Sequence, residues 1–192
     1  AVKRNCTARN HTATHLLQKA LREIIGAHVQ QAGSSVNENM LRFDFSHFEA
    51  VTKEQLEKIQ DRVNEKINEF LPVTCEEMSM EDAKKSGAMA LFGEKYKNTV
   101  RVVSAGQWSR ELCGGIHVKN TGEIGAFKII SESGIASGVR RIEAVTGTGV
   151  LAESLKSDRI LESAAEVLKA NKSNLTERII AVSYTHLRAH ET

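Results

Sequence analysis

The sequence predicts an α+β fold, an antiparallel sheet flanked by helices. Two observations carry this. Apolar residues recur at three- and four-residue steps in long segments, and several short strand-like runs follow one another across Gly-bearing turns without regular helical crossovers. A chain of 192 residues buries most of its apolar surface on folding without needing disulfides or metals as staples.

Over residues 7–28, Ala13, Leu17, Ala20, Leu21 and Ile24 form the apolar stripe of an amphipathic helix. Gly33, Ser34 and Ser35 read as a break, and residues 41–46 then alternate apolar and polar as a half-buried strand does. Thr52 and Gln55 make a capping-box start to a second helix. Leu56, Ile59, Val63, Ile67 and Phe70 supply its buried face, and Pro72 stops it. Residues 73–80 read as a strand and 81–86 as a short helix. Residues 100–103, 109–112, 126–131 and 139–145 read as further strands. A last helical pattern runs over residues 148–168, with Leu151, Leu155, Ile160, Leu161, Ala164 and Leu168 as its apolar positions.

This pattern divides the chain into a main domain at 1–147, a helical extension at 148–182 and a terminal stretch at 183–192. That stretch holds two of the seven histidines and one of the two tyrosines. It resembles a translated adapter or fusion scar, so it is read as non-native.

A net charge of +2 is a weak basic bias that permits modest nucleic-acid contact and names no partner. No apolar run approaches the roughly 18 residues needed to span a bilayer, so no membrane role is expected. The N-terminus, Ala-Val-Lys-Arg-Asn-Cys-Thr, lacks an initiating Met and a secretory signal, so the expectation is a piece of a longer cytoplasmic protein. Cys6, Cys75 and Cys113 are too few and too scattered for a disulfide framework.

The chemistry concentrates in two pairs. His11 and His15 lie at i and i+4 on the first helix, a spacing at which both rings reach one ion. Cys113-Gly-Gly-Ile-His117 brings a thiolate and a third ring together, the glycines allowing the sharp turn. One soft thiolate with three imidazoles favours Zn2+ over the oxygen-seeking magnesium and calcium. A zinc peptidase of the His-Glu-x-x-His type is excluded, because Thr12 stands where its general base would be. A structural zinc site stays open as an alternative, since four protein ligands normally close the coordination sphere. His186 and His190 repeat the i, i+4 spacing without a Cys or carboxylate partner, and His28 and His47 read as ordinary polar residues.

Five stretches together resemble the editing domain of bacterial alanyl-tRNA synthetase over roughly residues 4–170. They are His11-Thr-Ala-Thr-His15, Arg42-Phe-Asp-Phe-Ser-His47, Ala90-Leu-Phe-Gly-Glu-Lys-Tyr96, Arg110-Glu-Leu-Cys-Gly-Gly-Ile-His117 and Gly138-Val-Arg-Arg-Ile-Glu-Ala-Val145. Free-standing alanyl-tRNA deacylases and the editing domain of threonyl-tRNA synthetase share the zinc motif. The resemblance departs at Ile116, where the family commonly has Thr. It also implies that the β-barrel portion before this kind of segment, and the helical and oligomerising parts after it, lie outside the chain.

The resemblance implies hydrolysis of the ester joining serine or glycine to the acceptor end of tRNA(Ala), with His11, His15, Cys113 and His117 as zinc ligands. The activity would be that of an aminoacyl-tRNA hydrolase within an ATP-binding ligase whose aminoacylation site is absent here. The remaining domains of the parent synthetase are implied partners. Matching family positions give Thr14 and Gln31 as contacts to the serine hydroxyl, and Cys113 a place in the catalytic site. Arg140 and Arg141 are the best local candidates for contact with the RNA end. In a strand they face opposite ways, and Arg140 is favoured because the face shared by Val139 and Arg141 is expected to pack inward. Lys84, Lys85, Lys95 and Lys97 read as a solvated surface, and no His, Glu or Asp stands out as a dedicated base.

Overall fold

A computed structural model describes residues 1–89 and 98–190, with side chains described to residue 184. The chain divides into two compact units, Ala1–Val150 and Leu151–Thr192. The first is α+β, with antiparallel sheets and helices packed on them.

Helix α1, Val2–Ile24, buries Ala13, Leu16, Leu17, Ala20 and Leu21 completely. It ends four residues before the expected boundary at His28. The backbone leaves the helix at Gly26, whose φ of 144° is a conformation side-chain-bearing residues rarely adopt. The Gly33-Ser-Ser break is in fact part of strand β1, Gln31–Val36, which pairs antiparallel with β2, Leu41–Ser46. Pairing overrides the weak strand propensity of Gly and Ser here, and a bulge between Gln31 and Gly33 absorbs the irregularity. On β2 the burial alternates as expected, with Leu41, Phe43 and Phe45 fully inside.

Helix α2, Lys53–Asn68, begins with the expected reciprocal Thr52–Gln55 capping box and buries Ile59, Val63 and Ile67. Phe70 departs from expectation. At φ 51° it lies beyond the helix, largely exposed, with its ring resting where a Cβ on Gly122 would stand.

Strand β3, Val73–Ser79, short helix α3, Met80–Lys85, strand β4, Thr99–Ala105, and strand β5, Ser109–Leu112, come next. A single 3-10 turn, Thr121–Ile124, leads into strands β6, Phe127–Ala136, and β7, Val139–Thr146. Among the described residues the expected single sheet is two: a four-stranded sheet ordered β1-β2-β7-β6 and a three-stranded sheet ordered β3-β4-β5. The main core lies between α1, α2 and the inner face of the larger sheet, where Phe43, Phe45, Phe127, Ile142 and Ala144 meet the helices. A smaller cluster of Ala83, Val100, Val102 and Leu112 sits on the other sheet.

Strand β6 is an edge of the larger sheet, and α2 covers part of it with side-chain amides. Asn64 donates to the Phe127 carbonyl at 2.8 Å and accepts from the Phe127 N–H at 2.9 Å, while Gln60 accepts from the Ile129 N–H at 3.0 Å. The periods match. Four helical residues rise about 6 Å and two strand residues about 6.7 Å.

The second unit comprises most of α4, Thr148–Val167, and α5, Leu175–His190, which begins inside the expected helical extension and runs past its expected end at residue 182. Asn171 accepts from the Ser173 and Asn174 N–H groups in the turn between them, and Ala165 and Leu175 are buried. Leu151, Leu155 and Ile160 are mostly exposed, not buried as an apolar stripe would be in a closed core. The stretch from residue 183 continues α5 to His190.

Replacing Asn64 with Ala leaves edge groups of Phe127 without their partners. Urea unfolding of Asn64→Ala should show a loss of about 1–3 kcal/mol, without a change in the slope that reports compactness.

Candidate metal centre

Three segments build the site. Helix α1 carries His11 and His15 one turn apart, β5 runs out into Cys113, and the loop beyond it returns His117. Each of the four offers one ligand atom, and these atoms all lie within 4.8 Å of one another. The Cys113 Sγ is 3.4 Å from His11 Nε2 and 3.3 Å from His117 Nε2. The imidazole centroids are 5.3 Å apart for His11 and His15, 4.3 Å for His11 and His117, and 5.0 Å for His15 and His117.

The donor set fits zinc. A tetrahedral centre with Zn–S near 2.3 Å and Zn–N near 2.0–2.1 Å separates sulfur from nitrogen by about 3.6 Å, close to the spacing observed. His15 Nε2 is buried and, among the described residues, has no hydrogen-bond partner, as expected of an atom awaiting a ligand bond. The other ring nitrogen of His15 bonds the buried Glu111 carboxylate.

The backbone around Cys113 is equally particular. A Cβ on Gly115 would lie 2.0 Å from His11 Cε1, whereas among the described residues nothing lies within 4 Å of one on Gly114. Among those residues, packing demands the second glycine and not the first. The Gly115 N–H points to the Cys113 sulfur at 3.4 Å, and the Arg101 guanidinium donates to the Gly115 carbonyl. The Cys113 N–H in turn bonds the Arg101 carbonyl at 3.0 Å, tying the loop to β4.

Electrostatics prepares the ligands. Burial alone would raise the Cys113 thiol, but the polar contacts it makes with the surrounding rings of His11, His117 and His15 pull it down to about 3, so it is a thiolate at neutral pH. Burial, with the neighbouring rings of His15 and His11, pushes His117 down to about 4 against the pull of Cys113, leaving it neutral. For His15 burial opposes the charge, yet Glu111 and the Cys113 thiolate raise it to about 10.

The other candidates are placed differently. Thr14 is buried, and its hydroxyl donates back to the Asn10 carbonyl at 2.9 Å. Gln31 lies in β1, with its amide donating to Ser34 Oγ at 3.1 Å. On β7 the two arginines do face opposite ways, but the inward face is the other one: Arg140 shares its side with buried Ile142 and Ala144, while Val139 and Arg141 face out. The ladder explains this, since Ile142 pairs with core residue Phe43. Both guanidiniums are held by carboxylates, Arg140 by Glu132 at 2.6 and 2.7 Å and Arg141 by Asp44 at 2.7 Å twice. Lys84 and Lys85 are exposed, and Lys85 pairs with Glu81. Ile116 packs partly buried against the core. His28 and His47 bond each other at 3.0 Å on the surface. The Ala90–Tyr96 motif, Lys95 and Lys97 lie outside the described residues, as do the side chains of His186 and His190.

Sequence reasoning missed Glu111 and Thr12, although Glu111 stands two residues before Cys113 in the Arg110–His117 stretch. Strand alternation puts such a pair on one side and could have drawn attention to it. From the sequence, Thr12 marks only the absence of a peptidase base.

Residues 100–143 match the family described as the threonyl and alanyl tRNA synthetase second additional domain. Alanine–tRNA ligase 1 of Lachnoclostridium phytofermentans is 56% identical over 177 residues, covering 92% of this chain and 20% of that protein. The alanine–tRNA ligase of Fusobacterium nucleatum is 59% identical over 178 residues, and that of Bacillus subtilis 55% over 179. Each match covers 93% of this chain and 20% of the relative. The chain thus spans about a fifth of the length of these curated relatives.

Two outcomes follow from the geometry. Gly115→Ala should lower zinc affinity more than about ten-fold in a chelator competition, while Gly114→Ala stays near wild type; equal effects would remove the packing argument.

In metal-stripped protein, pH should act through three groups. Cys113, lowered from 9.0 to about 3, and His117, lowered from 6.5 to about 4, both make stability rise with pH between about 4 and 6.5. His15, raised from 6.5 to about 10, contributes fully below 6.5 and loses that contribution as pH climbs to 10. From 6.5 to 9 the continuing Cys113 gain offsets the His15 loss. The denaturation midpoint should therefore rise to about pH 6.5, level off, and fall above about pH 9. A steady fall from 6.5 would contradict the assignment.

Proposed function

Starting from a chain homologous over nearly its whole length to one segment of bacterial alanine–tRNA ligases, we propose that it is the editing part of such an enzyme. In this reading residues 1–147 hydrolyse the ester of seryl- or glycyl-tRNA(Ala), residues 148–182 lead toward the next domain, and residues 183–192 are a non-native tail. The observation that carries it is the convergence of His11, His15, Cys113 and His117 in a chain with this kinship. The remaining domains of the parent ligase and the acceptor end of tRNA(Ala) are the partners, and work in translation implies the cytoplasm. No helix among the described residues is long and apolar enough to cross a membrane.

Editing has a physical rationale. A pocket that must accept alanine gains too little from one methyl group to refuse glycine, and rejects a small added hydroxyl poorly, so a second hydrolytic site is needed. Bound zinc would supply Lewis-acid polarisation of the ester carbonyl or a water of lowered pKa. The chain's own groups would do the rest.

Cys113 and His117 reach neutral pH already deprotonated, so neither must shed a proton to hold an ion. Gln31 has a side-chain amide able to meet a serine hydroxyl if it exchanges Ser34 for substrate. Thr14, with its proton committed to Asn10, can offer the hydroxyl only an acceptor lone pair. Arg140 or Arg141 would attract the RNA backbone, each by exchanging a carboxylate for a phosphate.

The four-ligand set also supports a second reading, a zinc-stabilised tRNA-binding module without chemistry. One experiment separates the two. The zinc-loaded chain should hydrolyse seryl-tRNA(Ala), spare alanyl-tRNA(Ala), and fall to the uncatalysed rate after metal stripping. Cys113→Ala should remain folded by circular dichroism yet inactive. Loss of fold in that variant, with no turnover by the zinc-loaded wild type, favours the binding module.

A further inference from the structure

We infer that Glu111 and Thr12 are positioning residues that fix the tautomers of His15 and His117, so that both rings turn Nε2 toward a metal ion. The inference rests on the reading that this cluster holds zinc.

The case for Thr12 is one of saturation. A hydroxyl has one proton to give and two lone pairs to receive with. The Thr12 proton goes to the Ala8 carbonyl at 3.0 Å, one turn back along α1. One lone pair accepts the Val118 N–H at 3.2 Å. What remains for His117 Nδ1, also at 3.2 Å, is a lone pair. His117 must therefore carry its proton on Nδ1 and keep Nε2 free, and it is Nε2 that lies 3.3 Å from the Cys113 sulfur. Thr12 is itself almost wholly buried, so water offers no substitute partner.

Glu111 makes the same choice for His15 by charge. Its carboxylate can only accept, so the proton of His15 facing it sits on Nδ1. His15 Nε2 is thereby left pointing into the cluster, buried and unpartnered among the described residues. Glu111 and Cys113 are two residues apart along β5 and its exit, so one strand supplies both a ligand and the group that orients a second ligand. The arrangement is the outer shell that metal-binding histidines require: each imidazole is oriented from behind by an acceptor, and the metal-facing nitrogen stays free.

The test uses the full chain and zinc alone. Zinc affinity is measured against a competing chelator for wild type, Glu111→Gln, Thr12→Val and Thr12→Ser, with folding checked by circular dichroism. The glutamine can donate to Nδ1 and so favours the wrong tautomer, while the valine removes the acceptor. Each should weaken zinc binding about 10- to 100-fold, and Thr12→Ser should restore it to within about three-fold of wild type. Long-range proton–nitrogen NMR on the zinc-loaded wild type should show His15 and His117 protonated at Nδ1 and metal-bound at Nε2. Coordination through Nδ1, or folded Glu111→Gln and Thr12→Val proteins with wild-type affinity, overturns the inference. The spectra decide the matter even where a variant fails to fold. A wild type that binds no zinc instead overturns the metal reading beneath it.

Discussion

The candidate metal centre is a long-range closure: the imidazoles of α1 meet a thiolate and an imidazole some hundred residues later in the sequence. Such closure must be held by something other than the site. Here it is the burial of α1, whose Ala13, Leu16, Leu17, Ala20 and Leu21 are fully inside and adjacent in the helix to the two ligands. Packing sets the position of the helix axis, and the i, i+4 spacing then carries both rings to one place. The loop from Cys113 to His117 is brought up from the other side by its bonds to Arg101 and Thr12. The helix half takes its place from core packing, and the loop half is fitted in part against that helix, through Thr12 and the close approach of Gly115 to His11.

Much of this was legible in the chain because it is local. The apolar period of α1, the Thr52–Gln55 capping box and the alternation in β2 depend on neighbours within a few residues, and all three appear as expected. The four clustered side chains were legible too, since their types and spacings are distinctive. What sequence could not show was pairing. Gly33-Ser-Ser looks like a break until β2 is beside it, and the division into two sheets depends on which strands meet. The inward face of β7 was misjudged for the same reason, because it is decided by the partner of Ile142. Glu111 and Thr12 went unnoticed because a carboxylate or hydroxyl has no distinctive motif when its partner lies about a hundred residues away.

Charge is spent inwardly in this fold to an extent that composition conceals. Arg140 and Arg141 sit in two-pronged pairs with Glu132 and Asp44, and Arg62 is shared between Glu23 and Glu65. A polyanion approaching these arginines meets groups that are already neutralised. Such pairs exchange partners most readily where solvent reaches them, and Arg141 is more open than Arg140, with side-chain exposures of 27% and 17%. Binding that relied on them would be selective for partners able to replace a carboxylate geometrically, since a fork-shaped donor favours a matching pair of acceptor oxygens.

The amides of Asn64 and Gln60 on the rim of β6 bear on how such a domain is protected while it is being made. An open strand edge is a template for any other extended segment, and a long chain emerging from the ribosome has many of those. By satisfying Phe127 and Ile129 from a helix that precedes them in the sequence, the domain closes this part of its rim with residues already synthesised when the strand appears. The order of the elements along the chain is thus a form of protection during synthesis, before the fold has any task to perform.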